Sequence, residues 1–291
     1  MSTSSDRPKK KKRERKQATP KKLQKKTKVT RVPLWTCAPG PIGHAGLETV
    51  LAKPFLATIF IDPAKDCFRF PVEGLKEAHT LGGLHVRMRQ KFFKGASLPV
   101  RHAKKGKEFR RLPSSKVDGK RADNALEKAI ETGNAPPATS KYAAAVWKYW
   151  QENGHRPVLA QLPVVLPKQN IATAGDYFTV KDGKLWLWEL KTGWPFVYKT
   201  LAEAGTMSEP LDHVWATPWN RWQLQVLITQ LAYQRELGLE IDGGARVIHA
   251  WLERPFGEHG YSCHVRVHEP DTLEPPGWPD TVNKDALYGA I

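Results

Sequence analysis

The sequence has only three cysteines among 291 residues, Cys37, Cys67 and Cys263. They are too few and too scattered for a disulfide framework or a zinc site, which favours a reducing compartment. Long apolar runs are also missing, since none approaches the roughly 20 residues of a membrane span, and we expect no membrane partner. With 40% hydrophobic residues, the chain can still bury a substantial core. We therefore expect one folded domain and a tail.

Acidic residues are scarce in two segments. Residues 1–32 contain 14 Lys or Arg against two acids, and residues 87–121 contain 13 against two. Because the whole chain has a net charge of +17, the remainder is acidic. An acidic domain with two basic segments suits a metal-dependent enzyme on nucleic acid, since phosphates need cations and a metal needs carboxylates. A basic tail alone would equally serve solubility or a ribosomal contact.

Three regions follow from composition. Residues 1–32 are Lys-rich, and we expect a disordered basic tail. Its run PKKKKRERK resembles a nuclear localisation signal, which predicts a nuclear protein (the host nucleus if it is viral), although a nonspecific DNA-binding arm explains the run equally well. Residues 33–115 combine short strands with a basic segment, either a loop beside the site or a disordered linker. Residues 116–291 form the core, with two further strands near the C-terminus.

A hairpin is predicted in the segment IATAGDYFTVKDGKLWLWELKTG, residues 171–193. Its Asp-Gly pair at 182–183 is a strong two-residue turn signal. The strand before the turn should fold back on the strand after it, which brings Asp176 and Glu189 together. Side chains two apart on a strand share a face, so Glu189 and Lys191 point the same way.

Two carboxylates and an amine in this arrangement suit phosphodiester hydrolysis. Mg²⁺ prefers carboxylate oxygens, polarises a phosphate and acidifies a water. A lysine beside it orients that water or stabilises negative charge. An ordinary surface hairpin would also carry these residue types, but the Asp spacing, the apolar strand and the Gly-Asp entry together favour a metal site.

The same segment, G-D-x(12)-E-L-K, resembles the PD-(D/E)XK nuclease superfamily in the form of the RecB and lambda exonuclease group. The resemblance covers roughly residues 116–269. It implies an α/β, restriction-endonuclease-like fold, with a mixed central sheet flanked by helices. It also implies Mg²⁺- or Mn²⁺-dependent hydrolysis of single- or double-stranded DNA, with Asp176, Glu189 and the carbonyl of Leu190 as metal ligands and Lys191 as the water-orienting or charge-stabilising group.

Upstream, the family pattern continues on a predicted helix, GKRADNALEKAIETG. Relatives often have G-x-x-x-H-x-x-x-E there, so Glu127 matches the acid that binds metal and Asp123 replaces the histidine. A solvated helix face is the alternative for these acids. The segment PVLAQLPVVLPKQNIATAGD predicts a strand leading into the site, and Gln161 occupies a position where the family frequently has an acid.

Downstream, TPWNRWQLQVLITQLAYQRELGLEI predicts a long helix with an apolar stripe. RecB-type nucleases carry a glutamine on this helix, usually followed by an aromatic residue four positions later. Gln225 has Thr229 at that position, and Gln230 has Tyr233 only three residues later. Periodicity does not choose between them, and the preceding N-x-W-x-L-Q context favours Gln225 as the site glutamine. A plain amphipathic helix is the alternative.

The function that these features predict is a DNA exonuclease in viral or mobile-element genome processing, recombination or repair. One alternative is an enzyme of the same fold that acts as an RNase or as a structure-specific endonuclease on branched DNA. Another is a nucleic-acid-binding protein without catalytic activity, which metal-dependent cleavage would distinguish from a nuclease.

Overall fold

A computed structural model describes residues 35–54, 56, 60–62, 67–71, 78–93, 115–193, 205–253, 262–269, 273 and 275–291. The predicted disordered tail and most of the basic segment, residues 94–114, lie outside the described residues, so those two predictions remain predictions. Within the described ranges, no helix combines the length and apolar character needed to cross a membrane.

The described chain forms nine strands, seven α-helices and one π-helical turn. In chain order they are β1 Thr36–Cys37, α1 Ala45–Leu51, β2 Phe60–Asp62, β3 Cys67–Pro71, β4 Ala78–Gly83, α2 Leu84–Phe92, α3 Ser115–Thr132, α4 Lys141–Glu152, β5 Arg156–Leu166, β6 Ile171–Lys181, β7 Lys184–Thr192, α5 Pro218–Ala232, the π-helical turn Tyr233–Leu237, β8 Gly244–Glu253, β9 Ser262–His268, α6 Trp278–Thr281 and α7 Lys284–Ala290.

The strands form a mixed sheet. β5, β6 and β7 are successively antiparallel, β7 runs parallel to β8, and β8 is antiparallel to β9. β4 joins the first residues of β6 in parallel, β3 and β2 follow antiparallel, and β1 pairs with β5. The prediction of an α/β chain with a mixed sheet flanked by helices is confirmed at this level.

The predicted hairpin joins β6 to β7. Asp182 and Gly183 both have left-handed backbones, with φ values of 51° and 73°. Positive φ at both central residues is the requirement of a type I′ turn, whose twist matches that of the flanking strands. The two strands pair from Tyr177 with Trp188 down to Lys181 with Lys184. The hairpin prediction is therefore confirmed, with the predicted register.

Helices cover both faces of the sheet. On one face, α3 and α4 bury Leu126, Ile130 and Trp150 against Tyr177 and Trp188 of the hairpin. On the opposite face, α5 buries the apolar stripe predicted from the sequence. Its members, together with the strand residues in the same core, are Leu224, Leu227, Ile228, Leu231, Phe178, Leu185 and Leu187. Two cores thus hold the hairpin from both sides.

Two sequence predictions need correction. The segment from Pro157 to Asp176 is not one strand, because β5 ends at Leu166 and β6 begins at Ile171. A turn through residues 167–170, in which Asn170 has a φ of 54°, reverses the chain between them. The long helix is also interrupted: α5 ends at Ala232, and the chain continues as a π-helical turn.

Three buried histidines give the fold a predicted sensitivity to acid. Burial lowers the pKa of His155 and His249 to about 4 and that of His268 to about 3. In the unfolded chain these groups titrate near pH 6.5. Their neutral forms therefore stabilise the fold fully above that pH, and this stability is lost as the pH falls from about 6.5 towards 4.

We expect His155→Asn to reduce this pH dependence. Asn can retain a hydrogen bond to Thr179, which lies 3.0 Å from Nδ1 of His155, but it takes up no proton. Denaturant unfolding at several pH values should show a slope lower by about 1.4 kcal/mol per pH unit than in the parent, between pH 6 and 4.5. The buried acids of the chain are present in both proteins, so their contribution to the pH dependence of unfolding cancels in the comparison. Equal slopes would contradict a neutral, buried His155.

Candidate active site at the β6–β7 fork

The candidate site lies where β6 and β7 separate. Their ladder ends at the pair Tyr177 and Trp188, so the next residues on the two strands are Asp176 and Glu189. Further back, at Ile171 and Ala172, β6 pairs with β4 on that side. The change of partner opens a fork in the sheet, and the two acids predicted to act together stand at its apex.

Asp176 takes over a backbone interaction at this fork. Its Oδ2 accepts a hydrogen bond of 2.9 Å from the backbone N–H of Leu190, where continued pairing would have placed a carbonyl. Burial raises the pKa of Asp176 well above its usual value, and the charge of Glu189 raises it further, against the charge of Lys191 and the N–H of Leu190. A cation placed here would restore the ionised form.

Glu189 and Lys191 form a compact triad with Gln225 of α5. Glu189 is only 3% exposed, and its Oε1 accepts a short contact from Nζ of Lys191. The same oxygen accepts from Nε2 of Gln225 at 2.6 Å, and Lys191 donates to Oε1 of Gln225 at 3.2 Å. Burial lowers the pKa of Lys191, but the charges of Glu189 and Asp176 outweigh it and raise the pKa overall. Lys191 is therefore a cation.

The triad separates the two candidate glutamines. Gln225 contacts both Glu189 and Lys191, whereas Gln230 donates to the backbone carbonyl of Ile241 at 3.5 Å. Gln225 is thus the glutamine that the fold brings to the predicted residues. Thr229 donates its hydroxyl to the carbonyl of Gln225 one turn back.

Helix α3 contributes two acids that differ in their surroundings. Asp123 accepts a hydrogen bond of 2.9 Å from the hydroxyl of Tyr177. Burial raises its pKa, against the Tyr177 hydroxyl, while the charge of Glu189 raises it and that of Lys191 lowers it. Glu127, one turn later, has a pKa raised by burial and then by the charge of Asp123. Of the two α3 acids, Asp123 is therefore the one whose pKa responds to the charges of Glu189 and Lys191.

A tyrosine that the sequence did not reveal holds the strand leading to Asp176. The hydroxyl of Tyr233 accepts from the backbone N–H of Gly175 at 2.7 Å and donates in a short contact to the carbonyl of Leu162. Leu162 and Gly175 are partners in the β5–β6 register, so the hydroxyl bridges the pair that precedes Asp176. No local sequence signal pointed to this contact, because Tyr233 lies eight residues after Gln225 and therefore about 80° away around a helix.

The residues around Asp176 are closely constrained. A Cβ on Gly175 would lie 2.6 Å from Leu187 and 3.0 Å from the Tyr233 hydroxyl, so a larger residue would displace the strand or the tyrosine. Gln161 of β5 lies between Ala160 and Leu162, the register partners of Tyr177 and Gly175, and its φ of 59° is unusual for a residue other than glycine. Such backbone strain is often found at functional sites.

The donor set suits a hard divalent cation. In the described ranges no three His, Cys, Asp or Glu side chains stand close enough together to hold a metal as they are placed. Asp176 and Glu189 nevertheless supply carboxylate oxygens, and the pKa of Asp176 is raised by burial and by this second acid. A cation would relieve that repulsion. Carboxylate oxygens match Mg²⁺ or Mn²⁺ better than softer metals.

Comparison with known proteins does not add to these observations. No protein-family model matches the chain, and neither a curated protein nor a solved structure matches it.

Proposed function

We propose that the chain is a metal-dependent nuclease of the PD-(D/E)XK type, with a restriction-endonuclease-like fold, that hydrolyses DNA phosphodiester bonds. The observation that carries the proposal is the fork at which Asp176 and Glu189 meet, with Lys191 held on Glu189 by Gln225. A sheet needs none of these buried charges for its stability, since such groups are costly to desolvate. Their convergence at one point therefore favours chemistry over packing.

Each residue has a distinct proposed role. Asp176, Glu189 and the carbonyl of Leu190 bind the cation, with a third carboxylate from α3. Bound Mg²⁺ or Mn²⁺ would supply Lewis-acid polarisation of the phosphate and a more acidic water. Lys191, kept cationic by its two acidic neighbours, stabilises negative charge on the phosphate or orients the attacking water. Gln225 holds Glu189 and Lys191 in position.

DNA is the proposed substrate because of charge. The two basic segments carry 27 Lys or Arg in total, which suits a polyanion. The run PKKKKRERK supports a nuclear location, and a nuclear protein of this kind would serve as an exonuclease in viral or mobile-element DNA processing, recombination or repair. A fluorescent fusion with and without residues 1–32 tests the location: the truncated protein should lose its nuclear accumulation.

One experiment tests the proposed activity. The purified chain is incubated with end-labelled linear DNA, closed circular DNA and RNA, each with EDTA, Mg²⁺ or Mn²⁺. We expect metal-dependent loss of the linear DNA and, for an exonuclease, intact circles. Cleavage of circles or of branched DNA would indicate an endonuclease, and preference for RNA an RNase. Binding without cleavage of any substrate would overturn the proposal in favour of a non-catalytic binder.

Two α3 variants test which acid is the third metal ligand. Asp123→Asn and Glu127→Gln each preserve volume and hydrogen bonding while removing one charge. We expect Asp123→Asn to have the larger effect, about 10- to 100-fold in rate with a higher Mg²⁺ requirement, because Asp123 shares the electrostatic environment of Glu189 and Lys191. Activity measured against Mg²⁺ concentration distinguishes them. A larger shift in Glu127→Gln would assign the ligand to Glu127, as the family pattern implies.

A further inference from the structure

The face of the sheet that carries Lys191 continues onto β8 and β9. Lys191 is in register with His249 in the parallel β7–β8 pair, and Trp251 lies two residues later on β8. Registered neighbours and residues two apart project on the same face. On β9, His268, Arg266 and His264 pair with Val247, His249 and Trp251. All of these side chains therefore share a face with the candidate site.

Aromatic rings form a continuous row along this face. His249 stacks on Trp251 with centroids 5.1 Å apart and an interplanar angle of 28°, and Trp251 stacks on His264 at 5.6 Å and 22°. At the other end, Trp219 of α5 stacks on His268 at 4.5 Å and 23°. The row ends at His264, whose side chain is exposed.

The two ends of the row differ in what packing explains. Trp219 and its neighbour Trp222 cover the end at His249 and His268 and join it to the main core, so packing of α5 on the sheet accounts for these residues. At the other end Trp251 is half-buried, while His264 and Arg266 are exposed. In the part of the chain that the structure describes, the ring contacts of Trp251 are with its two histidine neighbours.

We propose that Trp251, His264 and Arg266 form a stacking platform for unpaired nucleotides of the strand that enters the site. This inference rests on the proposed nuclease function. On β8, Trp251 lies two residues after His249, which is the register partner of Lys191. Strand geometry therefore puts the Cα of Trp251 roughly 8 Å from that of Lys191. Aromatic faces stack on any base, and an arginine beside them pairs with phosphate. The platform thus holds bases while Lys191 faces the backbone.

The platform predicts a preference for single-stranded or frayed ends. In a duplex the bases are already stacked on each other and present only their edges, whereas unpaired bases have free faces that can continue the row at its exposed end. A single-stranded overhang should therefore bind more tightly than a blunt duplex of equal length, at the same salt concentration.

Binding without catalysis tests the platform. Anisotropy of labelled oligo(dT) and of a blunt duplex is measured in EDTA for the parent and three variants. Trp251→Leu should weaken oligo(dT) binding roughly 5- to 150-fold, the range of one lost stacking contact, with little change for the duplex. Trp186→Leu, which removes a half-buried tryptophan from the opposite face, should bind like the parent. The exposed pair His264→Ala with Arg266→Gln supplies an independent variant if Trp251→Leu does not fold.

The outcomes separate this proposal from the nuclease proposal. If the parent cleaves DNA with Mg²⁺ but the platform variants bind oligo(dT) as the parent does, the platform is wrong and the nuclease proposal stands. If the parent does not cleave and the variants lose oligo(dT) binding, the nuclease proposal is wrong and the platform stands. Equal loss of duplex and oligo(dT) binding would indicate a general electrostatic surface, and that result would also overturn the platform.

Discussion

Asp176→Asn should reduce cleavage by at least about a thousandfold while leaving the fold intact. Asn keeps an oxygen for the backbone N–H of Leu190 but supplies no charge to a cation. Loss of a metal ligand removes several kcal/mol of stabilisation of the transition state, and each 1.36 kcal/mol is a factor of ten. Single-turnover cleavage with saturating Mg²⁺, beside metal titration by calorimetry, measures both consequences.

The same variant should be more stable than the parent, although it is less active. Because burial and Glu189 raise the pKa of Asp176, the carboxyl either ionises at a cost or takes up a proton when the metal-free chain folds at neutral pH. This penalty disappears as the pH falls below the pKa of an unfolded Asp. In EDTA at pH 7, Asp176→Asn should therefore unfold at higher denaturant concentration than the parent, and the difference should vanish near pH 3.

Asp242→Asn provides a matched control. Asp242 also accepts a backbone N–H of β7, that of Leu185 at 2.7 Å, but it does so at the far end of the strand. The Asp242→Asn variant should retain the parent's rate of cleavage and its metal affinity. If Asp176→Asn keeps the parent's rate, or if the two variants lose activity equally, Asp176 is not a metal ligand.

Lys191→Met should lower the cleavage rate by about 100- to 1,000-fold, with little change in metal affinity. The proposed role of the lysine is realised in the transition state, where a cation stabilises charge that the bound substrate does not yet carry. Lost stabilisation of this kind lowers kcat and kcat/KM together. Steady-state kinetics and Mg²⁺ titration distinguish it from loss of substrate binding, which would raise KM alone.

Removal of the lysine also leaves Glu189 buried without its cation, so a fold defect has to be separated from a chemical one. Breaking a buried ion pair costs about 3 to 5 kcal/mol. The double variant with Glu189→Gln removes the remaining charge and should recover much of the lost stability while staying inactive. Recovery of activity together with stability would mean that Lys191 acts only through the fold, and would contradict its proposed role.

Much of the local structure could be predicted from the sequence because its signals are local. The Asp-Gly pair demands a turn with two positive φ values, and alternation along β7 places Glu189 and Lys191 on one face. The helical period of α5 identified the buried stripe that includes Leu224 and Ile228. Each of these inferences involves residues within one turn or one pair of adjacent strands.

The site was decided by contacts between distant segments. The fork at Asp176 arises because β6 pairs with β4 at one end and with β7 at the other, and strand periodicity says nothing about which strand is the neighbour. Gln225 and Gln230 lie at about the same angle from the centre of the apolar stripe, one on each side of it, so only the docking of α5 on the sheet separates them. The same holds for Asp123 of α3, which accepts a hydrogen bond from the hydroxyl of Tyr177 in the sheet.

The sequence by itself thus determined the hairpin, the apolar stripes and the spacing of Asp176, Glu189 and Lys191, because backbone sterics and side-chain periodicity act over a few residues. Only the tertiary structure decided that Gln225 is the glutamine in contact with Lys191. It also decided that the pKa of Asp123 responds to Glu189 and Lys191 and that Tyr233 bridges β5 and β6. These depend on how elements far apart in the chain pack, and packing is a property of the whole core.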